Sequence, residues 1–211
     1  MRRNTLAPLA ALILFTPLLC LALAGCGSSS ASAPSDEPVS PLVEESMKIA
    51  SRFELTLLRS MRQHFDEGGI MEAVGACRDE APSLERFHAQ QEPGVKEIRR
   101  ISLRPRNAES HTPTQAEAKW LEQAESRYTS GQAISAGLVE APEGCQTVLM
   151  PIVIEDQACL SCHGGERTLD PAITDYLQEH YENDQATGYA MGDLRGALAI
   201  TWNAEPGERT E

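Results

Sequence analysis

The sequence predicts an α+β domain that contains an antiparallel sheet. After the N-terminal region, the chain first carries apolar residues at helical spacing and later mixes short β-rich runs with helical stretches. Helices followed by a mixed region are typical of the α+β class, because parallel α/β sheets require strict alternation of strand and helix. About 170 residues remain after the N-terminal region, which is a length that suits one domain.

A long amphipathic helix is predicted to open the domain. Ser40 is a good N-cap residue, and Pro41 suits the first helical position. The apolar residues that then recur at helical spacing are Val43, Met47, Ala50, Leu57, Met61 and Phe65. This helix should end at the "DEGG" break, residues 66–69, and a second helix should cover residues 70–81. Pro82 is expected to end or kink that second helix.

The rest of the domain is predicted to alternate between strands and helices. In order, the sequence predicts a strand within 94–107, a helix within 112–128, strands within 132–141 and 145–154, a helix within 166–180 and a strand within 192–202. Thr112 or Thr114 should cap the helix within 112–128. The "PEG" between the two middle strands predicts a hairpin, and Asp170-Pro171 should begin the last helix.

The string "QACLSCHGGE", residues 157–166, contains Cys159, Cys162 and His163 in the pattern Cys-x-x-Cys-His. This is the spacing of covalent haem attachment, in which both thiols form thioethers and the histidine ligates the iron. A thioredoxin-like dithiol would require a βαβ context, and a zinc site would require a second Cys or His pair at ligand spacing. Neither context accompanies the motif. The sequence therefore predicts one covalently bound haem c.

Residues 1–25 are predicted to be a lipoprotein signal peptide. They begin with a basic pair, continue with an apolar run and lead into "LAGC". This tetrapeptide resembles the bacterial lipobox, which implies cleavage before Cys26 and lipidation of its thiol. Gly27 in place of Asp favours the outer membrane, by resemblance to enterobacterial lipoproteins. The alternative is an ordinary signal peptide beside an incidental cysteine. Export supports the haem prediction, because c-type haem is attached on the periplasmic side of the inner membrane.

A Ser/Pro-rich tether, residues 26–40, is predicted to link the lipid to a domain over residues 41–205. The net charge of −13 becomes −15 without residues 1–25, which hold two arginines and no acidic residue. This charge excludes nucleic acid as a partner. It would attract a basic redox partner, and it would equally serve solubility. No triad, phosphate loop or paired-carboxylate spacing suggests hydrolytic chemistry.

Four motifs carry a resemblance to a known family. They are "ACRDEAP", "SLRPRN", "MPIVIEDQACLSCHG" and "GYAMGDLRGALAI", which occur in the family's order within residues 45–203. The chain resembles a family of single-haem, c-type, PAS-like domains, long catalogued as a domain of unknown function. Its members include small standalone haem proteins and the exported sensory parts of histidine kinases. The resemblance implies a PAS-like antiparallel sheet flanked by helices and one covalent haem, without a known activity.

The second axial ligand of the iron has several candidates. By residue type alone the permitted ligands include Met71, Met150, Met191, His111 and His180. The resemblance implies instead that Cys77, in the "C-x-x-x-A-P" stretch, is the distal ligand. A thiol that coordinates a metal ion is deprotonated, so this role is chemically reasonable. The alternatives for Cys77 are a small buried hydrophobic residue or a disulfide with Cys145 in an oxidising compartment.

The two haem propionates need cationic or hydrogen-bonding partners. Within the family-like motifs, the predicted partners are Arg104, Arg106, Asn107 and Arg195. The alternative for each arginine is an ion pair with one of the many surface acids.

Two functions from different classes are compatible with the predicted site. A six-coordinate iron has no vacant position for a substrate, which favours a carrier of single electrons. The alternative is a redox or gas sensor, in which Cys77 is displaced and a partner's contacts change. A haem-dependent enzyme, such as a peroxidase acting at a vacated position, is a third class. Sensor kinases attach this type of domain to a kinase, whereas the sequence ends shortly after Trp202, so we expect a carrier with a redox or signalling partner.

Overall fold

The structure, a computed structural model, describes residues 40–204. The predicted signal peptide, the predicted lipidation site Cys26 and the predicted tether up to residue 39 lie outside the described residues. The described sheet has four strands, which are β1 (Val95–Ile101), β2 (Gly137–Glu140), β3 (Gln146–Val153) and β4 (Leu194–Trp202). They pair antiparallel in the order β1-β4-β3-β2, so the last strand of the chain lies inside the sheet. The hairpin predicted around "PEG" is the β2-β3 pair.

Helices flank this sheet, which confirms the predicted α+β class and the antiparallel sheet. They are α1 (Pro41–Asp79), α2 (Ala81–Gln91), α3 (Ala108–His111), α4 (Gln115–Thr129), α5 (Leu160–His163) and α6 (Pro171–His180). The long N-terminal helix is also confirmed. Among the described helices, none has both the length and the apolar character needed to cross a bilayer.

The alternation of side chains along β4 explains why the sheet is covered on both faces. Leu198 and Ile200 pack with Ile49 and Phe53 of α1 in one buried cluster. Ala197 and Ala199, one residue out of phase, belong to a second cluster that includes Leu121 of α4. Because successive residues of a strand point to opposite faces, each face of β4 contributes to a different core.

Helix α1 is broken at Gly69, which has φ 75° and ψ −163°. The two arms, residues 41–68 and 70–79, fold back on each other. Glu80, which follows the second arm, accepts a hydrogen bond from Ser60 of the first arm at 2.7 Å and contacts His64 at 2.8 Å. In a straight helix, residues 60 and 80 would lie about 30 Å apart. The break was predicted from "DEGG", and glycine supplies the positive φ at low cost.

The structure differs from the prediction around Pro82. The sequence predicts that this proline ends or kinks a helix, and α1 does end at Asp79. However, a further helix, α2, begins at Ala81, with Pro82 in its first turn. Proline is tolerated there because the first N–H groups of a helix have no partner within the helix.

The helix caps were predicted with mixed success. Ser40 occupies the N-cap of α1 but makes no capping hydrogen bond through its side chain. Thr114, one of the two predicted caps of α4, forms a capping box: its Oγ1 accepts from the Glu117 N–H at 3.3 Å, and Glu117 Oε2 accepts from the Thr114 N–H at 2.8 Å. Asp170 caps α6 through the Ala172 N–H, as the Asp-Pro pair indicates.

Candidate functional site

The Cys-x-x-Cys-His motif lies on one short helical segment. A single 3₁₀ turn, Gln157–Cys159, leads directly into α5, and the Asp156 side chain caps this turn by accepting from the Ala158 N–H at 2.8 Å. Residues three positions apart share a face of a helix, so the Cys159 and Cys162 thiols lie on the same side of the segment. Both are free and half-buried. The local fold therefore presents two adjacent thiols followed by an imidazole.

Burial makes these two thiols poor nucleophiles. It raises the pKa of Cys162 to about 11, an effect that Arg106 opposes and Cys77 reinforces. Burial also raises the pKa of Cys159. A reactive redox dithiol needs a cysteine with a lowered pKa, because the thiolate is the attacking species. The surroundings of the motif do not provide this feature of a thioredoxin-like site.

The His163 imidazole is held in one orientation by the backbone of a distant loop. Its Nδ1–H donates a hydrogen bond to the Ala186 carbonyl oxygen at 2.7 Å. Burial, then Arg195 and Arg106, lower the pKa of His163, a half-buried residue, well below its ordinary value. The ring is therefore neutral at pH 7, with its lone pair on Nε2. A histidine that binds a metal ion typically has this arrangement, because its second nitrogen donates to a fixed acceptor.

Arg106 links the motif to the loop that orients His163. Its Nη2 donates to the Cys162 carbonyl oxygen at 2.6 Å, and its Nε donates to Asp184 Oδ2 at 3.1 Å. Asp184 Oδ1 in turn accepts from the Ala186 N–H at 2.7 Å. Arg106 is only 9% exposed. These contacts make it a structural link between the two segments, and its predicted propionate role stays a prediction.

The other predicted propionate partners have different surroundings. Arg104 is exposed, donates to the Thr187 carbonyl oxygen at 2.7 Å and stacks on Tyr189, 3.8 Å from the ring centroid. Asn107 caps α3 by accepting from the Glu109 N–H at 3.1 Å. Arg195 donates through Nη1 to the Arg104 carbonyl oxygen at 3.3 Å, while its buried Nε has no partner.

Arg195 is the predicted partner whose environment most favours an anion. Within residues 40–204 it forms no ion pair with a carboxylate, whereas Arg106 pairs with Asp184. Burial lowers the pKa of Arg195, and its contact with Tyr189 opposes this effect. A buried cation without an anion carries an uncompensated desolvation penalty, which a carboxylate ligand would remove.

Cys77 lies in the second arm of α1 and contributes to the surroundings of the motif. Its thiol is close enough to Cys162 and Tyr181 to raise the pKa of each, after burial as the larger cause for both residues. In the same region, Val74 packs with Ile173 and Leu177 of α6, and Cys162 packs against this cluster. The structure therefore brings Cys77 near Cys162, the second of the predicted attachment cysteines.

The structure does not form the alternative disulfide between Cys77 and Cys145. Both cysteines are free, and each sulfur contacts a different cation of β1: Arg100 Nη1 lies 3.9 Å from Cys77 Sγ, and Lys96 Nζ lies 3.8 Å from Cys145 Sγ. These cations are four residues apart on the strand, which corresponds to about 13 Å. The two thiols thus lie near opposite ends of β1.

The remaining candidates for the distal ligand are dispersed. Met150 packs against the core between α1 and the sheet, and Met191 is 46% exposed. His180 stacks on Tyr176, with 4.0 Å between the ring centroids. Met71 packs on the cluster that Cys162 also contacts. His111 is half-buried, and its Nε2 has no hydrogen-bond partner.

Sequence reasoning did not identify Glu85 and Arg100 as site residues. Glu85 of α2 is 7% exposed, and its Oε1 accepts from Arg100 Nε at 2.7 Å and from the Arg100 N–H at 3.3 Å. Burial alone would lower the pKa of Arg100, but Cys77 and Glu85 raise it above its ordinary value. The sequence offered one signal for this pair, an acidic residue on a helix that packs against a strand. Using this signal would have required helix α2 to be predicted first.

The described residues fit an anionic metalloporphyrin. His163 offers a neutral, oriented imidazole beside two free thiols, and Arg195, which lowers the pKa of His163, has a buried Nε without a partner within residues 40–204. A zinc-type cage is not seen within residues 40–204, where no three His, Cys, Asp or Glu side chains converge. The available groups are the His163 imidazole and the Cys77 thiol as iron ligands and the Arg195 cation as a propionate partner, which match the needs of a haem.

Comparison with known proteins identifies the family. A comparison with curated proteins found no match. The crystal structure of the cyanobacterial heme-protein Tll0287 matches with a TM-score of 0.56 and 22% sequence identity, covering 79% of this chain and 98% of that chain, which shows a shared fold. The model of the Tll0287-like family matches residues 41–203, nearly the whole predicted domain. This match shows that the chain belongs to the Tll0287-like family.

Proposed function

We propose that this chain is an exported, lipid-anchored c-type haem protein that transfers single electrons. The observation that carries the proposal is the His163 ring, which is neutral and donates Nδ1–H to the Ala186 carbonyl oxygen. It directly follows two free thiols on one helical segment. The related cyanobacterial protein is described as a heme-protein, which supports the same cofactor here.

Each residue has a distinct role in this proposal. Cys159 and Cys162 form the thioether bonds, His163 is the proximal ligand, and Cys77 is the distal ligand as a thiolate. Arg195 pairs with a propionate, since it is a partly buried cation without a carboxylate partner in the described part of the chain. The bound haem would supply a one-electron couple, and the protein sets its potential through the axial ligands and their hydrogen bonds.

The ligand set favours a carrier over an enzyme. His163 and Cys77 would both hold the iron in this proposal and would leave no position for a substrate, which favours the transfer of single electrons. A thiolate donates electron density, so the potential should lie well below that of a His/Met cytochrome. The protein would then be a low-potential donor. Without residues 1–25, its net charge of −15 would attract a redox partner with a basic surface.

The membrane location rests on the N-terminal sequence. Residues 1–25 would direct export, Cys26 would carry the lipid, and the tether to residue 40 would hold the domain near the membrane surface. We place the domain on the periplasmic side of a bacterial membrane, with the outer membrane favoured by Gly27.

Covalent attachment can be tested by acid-acetone extraction after expression with the c-type maturation machinery. The haem should stay with the wild-type polypeptide, and a Cys159→Ser/Cys162→Ser double variant should release it into the organic phase. Cys145→Ser is the matched control, because Cys145 is a buried free thiol near the other end of β1, and this variant should retain haem. Complete release of haem from the wild-type chain would refute covalent attachment.

A redox or gas sensor is the second candidate, and the fold of α1 favours it. Cys77 follows the break at Gly69, and nearby Glu80 contacts Ser60 and His64 of the other arm. Displacement of Cys77 would therefore disturb contacts between the two arms. A sensor should show faster amide exchange in residues 60–80 after reduction or CO binding, whereas a carrier should show the same exchange in both oxidation states.

A further inference from the structure

A buried ion pair on the α2 side of the sheet reaches the proposed distal ligand. Glu85 accepts two hydrogen bonds from Arg100, one from Nε at 2.7 Å and one from the backbone N–H at 3.3 Å. The same guanidinium approaches Cys77 Sγ with Nη1, at 3.9 Å. Arg100 therefore joins three separate segments: the second arm of α1, helix α2 and strand β1.

This arrangement differs from an ordinary structural ion pair. Glu85 already satisfies the charge of Arg100 through Nε, and the side chains of Glu85 and Arg100 are 9% and 20% exposed. The planar guanidinium is thereby fixed, and its remaining N–H groups have a defined direction. One of them points at a sulfur, which is a weak acceptor as a thiol and a much better one as a thiolate.

The neighbouring Arg99 has no such contact. It lies one position earlier on β1 and pairs with Glu97 at 3.0 Å and with the buried Glu117 at 2.8 Å. Because successive residues of a strand face opposite sides, Arg99 is directed towards α4 and Arg100 towards α1 and α2. The chain thus contains two consecutive arginines, and only Arg100 contacts the Cys77 sulfur.

We propose that Arg100, fixed by Glu85, is a positioning residue that donates a hydrogen bond to the Cys77 sulfur when this sulfur ligates the haem iron. The inference rests on the proposed function, which supplies Cys77 as the ligand. The hydrogen bond compensates the negative charge of the thiolate and withdraws electron density from the sulfur. Hydrogen bonds to a ligating sulfur raise the reduction potential, because they favour the more electron-rich ferrous state.

The test is a set of reduction potentials and ferric spectra of the haem-loaded protein. Each titration adds one electron per haem from a chemical reductant such as dithionite. Arg100→Gln should shift the reduction equilibrium about tenfold or more towards the ferric state, which corresponds to a fall of about 59 mV. Arg100→Lys keeps the charge and should recover at least half of this shift. Glu85→Gln should produce a smaller shift of the same sign, since it releases the guanidinium without removing it.

Arg99→Gln is the matched control, because it removes the same charge from the adjacent position of the same strand. The equilibrium constant for reduction of this variant should stay within about twofold of the wild-type constant. An equal shift in Arg99→Gln would overturn the proposal, because the effect would then be general electrostatics. If the loss of Arg100 leaves Glu85 buried without a partner and the variant does not fold, Arg100→Gln/Glu85→Gln removes both charges and should show the same fall.

Two variants, Cys77→Ala and Arg100→Gln, distinguish an error in the role of Arg100 from an error in the proposed ligand Cys77. If Cys77→Ala converts the ferric spectrum to high spin while Arg100→Gln keeps the wild-type potential, Cys77 is the ligand and Arg100 has no role in tuning it. If Cys77→Ala keeps the wild-type ferric spectrum, the proposed ligand is wrong, and the role of Arg100 is wrong with it. Support requires high spin in Cys77→Ala together with the fall in Arg100→Gln.

Discussion

At the scale of single residues, the candidate site is distinguished by buried polar atoms that lack a partner within residues 40–204. Most buried polar groups in folded proteins form hydrogen bonds, so exceptions require an explanation. Two of the exceptions are Arg195 Nε and His111 Nε2, and Arg195 lowers the pKa of both His163 and His111. We interpret these atoms as belonging to a site that is completed by the cofactor.

Arg195→Gln should affect the haem-loaded and haem-free chains in opposite directions. In the haem-free Cys159→Ser/Cys162→Ser chain, the substitution removes a partly buried cation that has no carboxylate partner within residues 40–204, and it should stabilise the fold by about 1 kcal/mol. In the haem-loaded chain it removes a propionate partner and should destabilise the fold by about 1–3 kcal/mol. Denaturant unfolding measures both effects. Arg62→Gln, at an exposed arginine of α1, is the control and should change either form by less than about 0.5 kcal/mol. The same sign in both forms would contradict the assignment.

His111 should make stability depend on pH in the mildly acidic range. Burial, followed by Arg100 and Arg195, lowers its pKa from 6.5 to about 3, although Glu85 Oε1 lies 3.8 Å from its Nε2. The unfolded chain therefore binds a proton below pH 6.5 that the folded chain accepts only near pH 3, so stability is lost as the pH falls through this window. Between pH 7 and pH 5 the loss from this group is about 2 kcal/mol.

Comparison with His111→Gln isolates this contribution, because the variant cannot take up the proton. Denaturant midpoints at pH 7 and pH 5 should differ less in His111→Gln than in the wild type. An equal pH dependence in the two proteins would show that His111 is not neutral in the folded state.

At the scale of secondary-structure elements, the sequence predicted the caps, breaks and turns that depend on residues close together in the chain. The Thr114 cap of α4, the break at Gly69 and the β2-β3 hairpin all depend on residues close in sequence. The break and the hairpin were predicted, and Thr114 was one of two predicted caps, but its reciprocal hydrogen bond with Glu117 was not predicted. Helix α2 was missed because a proline reads equally as the end of one helix or the first turn of the next. The Glu85-Arg100 pair was missed for the same reason, since it joins α2 to a strand that follows a turn.

Gly196→Ala should be strongly destabilising, because β4 passes very close to the end of β1. Gly196 has φ 156°, and a Cβ atom there would overlap the carbonyl oxygen of Ile101. That oxygen belongs to the backbone of a paired strand and can move only if the β1-β4 ladder shifts. We expect a loss of about 2–4 kcal/mol in denaturant unfolding. Gly165→Ala, where a Cβ would meet no atom within 4 Å, is the control and should be nearly neutral. Similar stabilities would contradict the described packing.

At the scale of the whole molecule, the fold brings together segments that are distant in the chain. Cys77 lies in the second arm of α1 and Arg100 lies in β1, and both segments precede strands β2, β3 and β4 in the chain. The motif at residues 159–163 lies between β3 and β4. The motif could be recognised from sequence because its spacing is local. The identity of the distal ligand could not be derived from spacing, because it depends on how α1 folds back at Gly69.

The ferric spectrum of Cys77→Ala tests the central claim most directly. The substitution removes the proposed thiolate, and Cys145→Ala serves as the matched control because it removes another free cysteine near the opposite end of β1. The account predicts low-spin ferric haem in the wild type and in Cys145→Ala, and high-spin or water-ligated haem with a raised potential in Cys77→Ala. An unchanged low-spin ferric spectrum in Cys77→Ala would contradict the account, because the sixth ligand would then be a different residue.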